Sequence, residues 1–140
     1  MSKGIRKMID KVENFKELNN EDILKHKLLS YGGKSVKLGL DTEEEQNRML
    51  DEGKIYNGQV NYITMVNNKC HRNVADKYKN GSPGIKIISG YALFDDIWLQ
   101  HSWLFNKMNR IVETTNIKWD KYYGYELTKE ESENFCFDNY

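Results

Sequence analysis

The stretch that most constrains this chain runs from Trp98 to Thr115. Trp98-Leu99-Gln100-His101-Ser102-Trp103-Leu104-Phe105 and Arg110-Ile111-Val112-Glu113-Thr114-Thr115 are crowded with aromatic and β-branched residues, and a short polar break from Asn106 to Asn109 separates them. Neither run has a helical period, so both read as β-strands joined by a tight turn. Pairing Phe105 with Asn109 across a three-residue loop sets His101 directly opposite Glu113, with Trp103 and Ile111 as the next pair along. A loop of two or four residues sets Glu113 opposite Ser102 instead, because a one-residue slip exchanges the two faces. On the first register the hairpin presents an imidazole and a carboxylate side by side.

Upstream lies Cys70, in Asn67-Asn68-Lys69-Cys70-His71-Arg72-Asn73-Val74-Ala75-Asp76-Lys77-Tyr78-Lys79-Asn80-Gly81. Asn67 or Asn68 is a capping residue, Gly81 a terminator, and Cys70, Val74 and Tyr78 repeat at i, i+4 and i+8, which predicts a short helix with the cysteine on its buried stripe. With Asn68 as N-cap, Cys70 takes the second helical position, where free backbone N–H groups and the helix dipole favour a thiolate. A helix N-terminus and a nearby imidazolium bring a cysteine pKa from about 8.5 into the range of about 3.5 to 7.5. Read as packing alone, Cys70 is a small buried hydrophobe. A cysteine, a histidine and a carboxylate in this chain order are the parts of a thiol hydrolase or acyltransferase. His71 follows Cys70 directly and points about 100° away on the helix, so it reads as a rim or packing residue rather than the base. Cys136 has no comparable companions. A zinc site from Cys70, His71, His101 and Glu113 has no supporting ligand spacing, so neither metal nor cofactor is expected.

Composition narrows the function classes. Lys+Arg and Asp+Glu number 21 each, so no net field draws in nucleic acid or an anionic membrane. Apolar runs fall short of the roughly 20 residues of a membrane span, and the charged start has no signal-peptide core behind it. Two cysteines make no disulfide framework. These features predict a cytoplasmic protein with free thiols, and a length of 140 residues predicts one domain.

In chain order, Ile5, Met8, Val12 and Phe15 form a helical stripe within residues 3–18. A second helix is expected over residues 21–30, capped by Asn20 and ended by Gly32-Gly33, with His26 as an ordinary helix residue. Thr42-Glu43-Glu44-Glu45 is a capping box opening a helix to about Glu52. Residues 56–66 read as extended or irregular. After Gly81-Ser82-Pro83-Gly84 the chain turns β-rich, with a strand over residues 85–94 and a turn at Asp95-Asp96. A two-residue turn there places Gly90 opposite His101, where a missing side chain either leaves room for another group or a substrate or marks a bulge or bend. A strand over residues 117–127 extends the meander, and Thr128-Lys129-Glu130-Glu131 opens a final helix.

Together these residues resemble the papain-like and transglutaminase-like superfamily: a helix-borne cysteine at Cys70, then the His101-Ser102-Trp103 run, then Glu113-Thr114-Thr115, across residues 67–115. The resemblance implies that Cys70 attacks a carbonyl, that His101 is its base and that Glu113 orients the imidazole. It departs at the third position, where Asp or Asn is commoner, and in having no glutamine shortly before the cysteine. Gln59 and Asn67 are therefore the side-chain candidates for the oxyanion hole, with the Cys70 N–H as a second donor. Gly90 and Trp103 are candidates for the substrate cleft.

The expected fold is α+β: N-terminal helices and a cysteine-bearing helix packed on a C-terminal antiparallel β-sheet, with residues 1–55 a helical part and residues 56–140 the candidate catalytic core. The expected function is a small cysteine hydrolase or acyltransferase for an amide, isopeptide or thioester, with a peptide-like or protein substrate and no nucleic acid or membrane. The alternative is a non-catalytic interaction module, in which Trp98, Trp103, Trp119, Tyr122, Tyr123 and Tyr125 form core and a partner-binding face.

Overall fold

The computed structural model describes residues 19–139 except 64, 67, 68 and 82. The helix expected over residues 3–18 lies outside them. Helix α1 (Asn20–Ser30) starts one residue earlier than expected, because Asn19 is the N-cap and its side chain accepts from the Asp22 N–H at 2.9 Å. Leu24 and Leu28, one turn apart, carry its buried stripe. Helix α2 (Glu43–Glu52) opens on the full capping box: Glu45 N–H donates to Thr42 Oγ1 at 3.1 Å and Thr42 N–H to Glu45 Oε1 at 3.0 Å. Helix α3 (Cys70–Asn80) carries the candidate nucleophile, and α4 (Lys129–Asn139) opens on the second capping box.

The sheet has seven strands: β1 (Ser35–Lys37), β2 (Lys54–Tyr56), β3 (Val60–Tyr62), β4 (Lys86–Phe94), β5 (Ile97–Phe105), β6 (Ile111–Glu113) and β7 (Lys121–Glu126). Its order is β2-β7-β4-β5-β6-β3, with β1 also on β5. It is mixed rather than antiparallel, since β1 runs parallel to β5 and β3 parallel to β6. The first part of the chain is accordingly not purely helical. β2 and β3 are neighbours in sequence yet lie at opposite ends of the sheet order. Five flat inter-strand spacings span about 24 Å, whereas the connection from Tyr56 to Val60 reaches at most about 14 Å. The sheet must therefore curl, and Tyr56 of the terminal strand packs edge-on against Phe105 and Trp103 of β5, with ring centroids 5.2 and 5.8 Å apart.

Strand alternation divides the core between the two faces. Ile87, Tyr91, Leu93, Trp98, Leu104, Val112, Tyr123 and Tyr125 pack with Leu24, Leu28, Met49, Val74, Ala75 and Cys136 from the helices. Inside the curl, Tyr56, Ile88, Ala92, Trp103, Ile111 and Tyr122 form a second cluster, with no member from the described helices. Trp98, Trp103, Tyr122, Tyr123 and Tyr125 are all buried core residues, whereas Trp119 is half-buried. None of the described helices is long and apolar enough to cross a membrane.

Two hairpins set the site. Asp95 and Asp96, with φ of 51° and 64°, make the two-residue turn between β4 and β5, whose left-handed pair matches strand twist. It pairs Phe94 with Ile97 and Gly90 with His101, as expected. The β5–β6 register differs from expectation: Phe105 pairs with Ile111, not Asn109, and Leu104 with Val112. Asn106 is the cause. Its Oδ1 accepts from the Met108 and Arg110 N–H groups at 2.9 and 3.1 Å, stabilising a five-residue loop with Asn109 at φ 60°. The shift is two residues, an even number, so Glu113 stays on the face of His101 while standing level with Trp103.

Candidate active site

β5 is flanked by β1 at Ile97–Leu99 and by β6 at Leu104 and Phe105, which leaves Gln100–Trp103 without a strand partner on that edge. The start of α3 occupies the gap. Because neighbouring strand residues face opposite sides, Cys70 meets His101 on one face while His71 reaches Ser102 on the other, with Nδ1 and Oγ 2.7 Å apart. Cys70 is the first helical residue, one position earlier than expected, and Lys69 is the N-cap without a side-chain cap bond. Asn67 and Asn68 lie outside the described residues. The first intrahelical bond runs from Asn73 N–H to the Lys69 carbonyl, so the N–H groups of Cys70, His71 and Arg72 have no partner within the helix.

His101 and Glu113 form the buried half of the site, at 2 % and 0 % exposure. His101 Nε2 lies 2.8 Å from Glu113 Oε1, which leaves Nδ1 for the thiol. The diagonal offset between the two residues is bridged by the extra methylene of glutamate, a length that Asp or Asn lacks. The carboxylate is saturated: Tyr122 Oη donates to Oε1 at 2.9 Å, and Thr115 donates to Oε2 through its N–H at 3.0 Å and its Oγ1 at 2.6 Å. Burial raises the Glu113 carboxyl pKa, but the hydrogen bond and charge of His101, with the Thr115 donors, outweigh it and hold the group below the ordinary carboxylate value.

The thiol and imidazole shift in opposite directions. Burial pushes Cys70 up, yet hydrogen bonds with His101 and then His71, reinforced by their charge, bring it down to about 5. Burial pushes His101 down, yet hydrogen bonds to Cys70 and Glu113 and their charges raise it to about 9. Both shifts favour the thiolate–imidazolium form of the pair. Cys136, buried near Lys79, is pushed up by desolvation and has no such pair.

A cleft of 370 Å³ opens on the pair, lined by Cys70, His101, Leu38, Leu99, Ile117 and Trp119 among others. Trp119 lies over the imidazole at 4.5 Å between ring centroids. The opposite wall, after β1, is pinned to the sheet: Gly39 N–H donates to Tyr91 Oη at 3.0 Å, Tyr91 to Asp41 at 2.5 Å and Gln100 Nε2 to Asp41 at 2.7 Å. Gly39 passes so close to Gln100 that a Cβ there would lie 2.1 Å from Oε1. A larger depression of 470 Å³ at the other end of α3 has Lys77 and Lys107 as its only ionisable lining groups among the described residues.

Comparison with protein-family models, with curated proteins and with solved structures finds no match. The chemistry therefore rests on this geometry.

Of the sequence-derived residues, Cys70, His101 and Glu113 come together. Gln59 does not join them: it is exposed, and its carbonyl accepts from Ile111 N–H at the start of β6, the end away from Glu113. Asn67 lies outside the described residues, and the Cys70 N–H has no partner within the helix. Trp103 is not in the cleft but fully buried against Tyr56 and Tyr122. Gly90 does not make room for substrate either. A Cβ there would lie 2.0 Å from the Tyr123 carbonyl oxygen and 2.5 Å from Gly124 Cα, so the glycine admits the close approach of β7. Gly90→Ala is expected to destabilise the fold by about 3 kcal/mol through overpacking, read as a lower denaturant midpoint at unchanged slope. Sequence reasoning missed Tyr122, Thr115 and Trp119 as site residues. Thr115 was signalled by the Glu-Thr-Thr run; Tyr122 needed the β4–β7 register, which pairs it with Ala92.

Among the described residues, no three His, Cys, Asp or Glu side chains converge as a metal site.

Proposed function

We propose that this protein is a thiol hydrolase or acyltransferase acting on an amide, isopeptide or thioester of a peptide-like or protein substrate. The observation that carries the reading is the pairing of Cys70, at an uncapped helix start, with the buried His101–Glu113 couple on an open cleft. The order of cysteine helix, histidine strand and carboxylate strand is similar to that of the papain-like and transglutaminase-like superfamily, and we infer the same division of labour. The Cys70 thiolate attacks the carbonyl carbon; the C–S bond forms and the π electrons move to oxygen, which the Cys70 N–H stabilises. His101 gives its proton to the leaving nitrogen or sulfur as that bond breaks. Water, or an acceptor amine or thiol, then loses a proton to His101 and attacks the thioester, and the C–S bond breaks to restore the thiolate. Glu113 fixes the ring throughout. Leu38, Leu99, Ile117 and Trp119 suit an apolar group beside the scissile carbonyl.

The pH dependence follows from the two pKa values. With an amide, the rate rises as Cys70 loses its proton around pH 5 and falls as His101 loses its own around pH 9. With 4-nitrophenyl acetate, whose leaving group departs without a proton, only the acid limb remains. The test is a burst of nitrophenolate equal to the protein concentration, with the acetyl group located by peptide mass spectrometry. Acetyl on Cys70, absent in Cys70→Ala, supports the reading; no burst, or equal acetylation of Cys136, contradicts it.

A further inference from the structure

The mechanism gives Tyr122 no task beyond filling one acceptor site of Glu113. We infer that Tyr122 is a positioning residue that sets the basicity of His101 through the Glu113 carboxylate, an inference that rests on the reading of His101 as the acid and base of the proposed reaction.

The curl of the sheet brings the two residues together. β7 and β6 are three steps apart in the sheet order, roughly 14 Å along a flat sheet, yet Tyr122 Oη lies 2.9 Å from Glu113 Oε1. The phenol therefore reaches Glu113 across the interior of the curl. Its place there is fixed: Tyr122 lies mid-strand, paired with Tyr56 of β2 and Ala92 of β4, is buried, and meets Trp103 edge-on with centroids 4.9 Å apart.

The four donors divide between the carboxylate oxygens in a way that separates their roles. Both Thr115 donors go to Oε2, at 3.0 and 2.6 Å, and anchor that side. Tyr122 goes to Oε1, the same oxygen that His101 Nε2 faces at 2.8 Å. Donation to an ionised carboxylate stabilises its charged form, so the phenol weakens the pull of Oε1 on the imidazolium proton. Burial, then the charge and hydrogen bond of Glu113, push the Tyr122 phenol well above its ordinary value, and it stays a donor throughout the working range.

The consequence is for proton delivery. His101 is already raised to about 9, and a proton held more tightly still passes less readily to a leaving group at neutral pH. Tyr122 thus keeps the imidazolium acidic enough to act while Thr115 keeps the carboxylate in place. The other titratable groups around this chain are Cys70 of α3, Lys37 of β1 on the cleft wall, Tyr62 of β3 and Tyr56 of β2.

The experiment is the pH titration of the His101 ring nitrogens by heteronuclear NMR in the unaltered protein, Tyr122→Phe, Cys70→Ala, and protein carrying fluorotyrosine in place of Tyr122. Tyr122→Phe removes only the hydroxyl, and the His101 inflection is expected to rise by about half to one pH unit. Fluorotyrosine is a stronger donor of nearly the same shape and is expected to lower it. The alkaline limb of amide hydrolysis should move with each. Opposite shifts from the two changes are not produced by a phenol that merely fills space, and the fluorotyrosine protein keeps the test decisive if Tyr122→Phe does not fold. An unchanged or lowered inflection in Tyr122→Phe, or one unmoved by fluorotyrosine, would overturn the role of Tyr122. Equal inflections in the unaltered protein and Cys70→Ala would instead overturn the thiolate–imidazolium reading on which the proposed function stands.

Discussion

Glu113→Ala is expected to cost more stability than any other single change at the site, about 3 to 5 kcal/mol. The side chain is wholly buried and accepts from four donors: His101 Nε2, Tyr122 Oη, and the N–H and Oγ1 of Thr115. Removing it strands those donors and leaves a buried imidazolium unpaired, a situation with a penalty of roughly 3 to 5 kcal/mol. For a chain of this length each kcal/mol lowers the melting temperature by roughly 3 to 5 °C, so calorimetry should show a fall on the order of 10 to 20 °C. Glu113→Gln keeps the volume and one acceptor, and is expected to lose roughly 1 to 3 kcal/mol. The two substitutions also alter the acid limb. Because the Glu113 carboxyl titrates below its unfolded value, its contribution is present above about pH 4.3 and is lost as pH falls through the depressed folded value. Both variants should show a flatter loss of stability in that range. A melting temperature within a degree or two of the unaltered protein for Glu113→Ala would contradict the saturated-carboxylate account.

The second large effect is on chemistry. On the proposed mechanism, in His101→Ala the thiolate loses its main partner and the leaving group loses its proton donor. Hydrolysis of an amide is therefore expected to fall by roughly 10²- to 10⁴-fold, the usual contribution of a positioned acid–base. The nitrophenyl ester separates the two roles. Its acylation of Cys70 should persist at pH 8, since its leaving group needs no proton, whereas release of the acetyl group needs His101 to activate water. The acetyl-Cys70 species should consequently accumulate in His101→Ala and turn over in the unaltered protein. Equal steady-state rates in the two proteins would mean that His101 has no part in the second step.

Much of this arrangement was legible in the sequence because strong local signals agree with the fold. The Thr42 and Thr128 capping boxes form as written, and the Asp95-Asp96 turn fixes the β4–β5 register that pairs Gly90 with His101. The parallel partners β1 and β3 were not legible: each is three residues long, too short for a period, and each is held by a distant strand rather than by its neighbours in the chain. The β5–β6 register was misjudged by two residues because the Asn106 side chain, not the backbone, sets the loop length. The site survived that error since an even shift preserves the face, and a long carboxylate spans the diagonal. Gly90 was a true signal of close approach, and of the two occupants it could admit, another group or a substrate, the one found is β7. Trp103 and Trp119 show the limit of pattern alone, since one tryptophan fills the core and the other roofs the imidazole.

Cys70 and His101 are expected to form a thiolate–imidazolium pair at neutral pH, which the rate of Cys70 alkylation from pH 4 to pH 10 in the unaltered protein reads out. Cys136, whose thiol burial pushes upward, serves as the internal reference. An inflection near pH 5 is expected for Cys70, well separated from that of Cys136. An inflection for Cys70 at the ordinary thiol value of about 8.5, alongside Cys136, would contradict it.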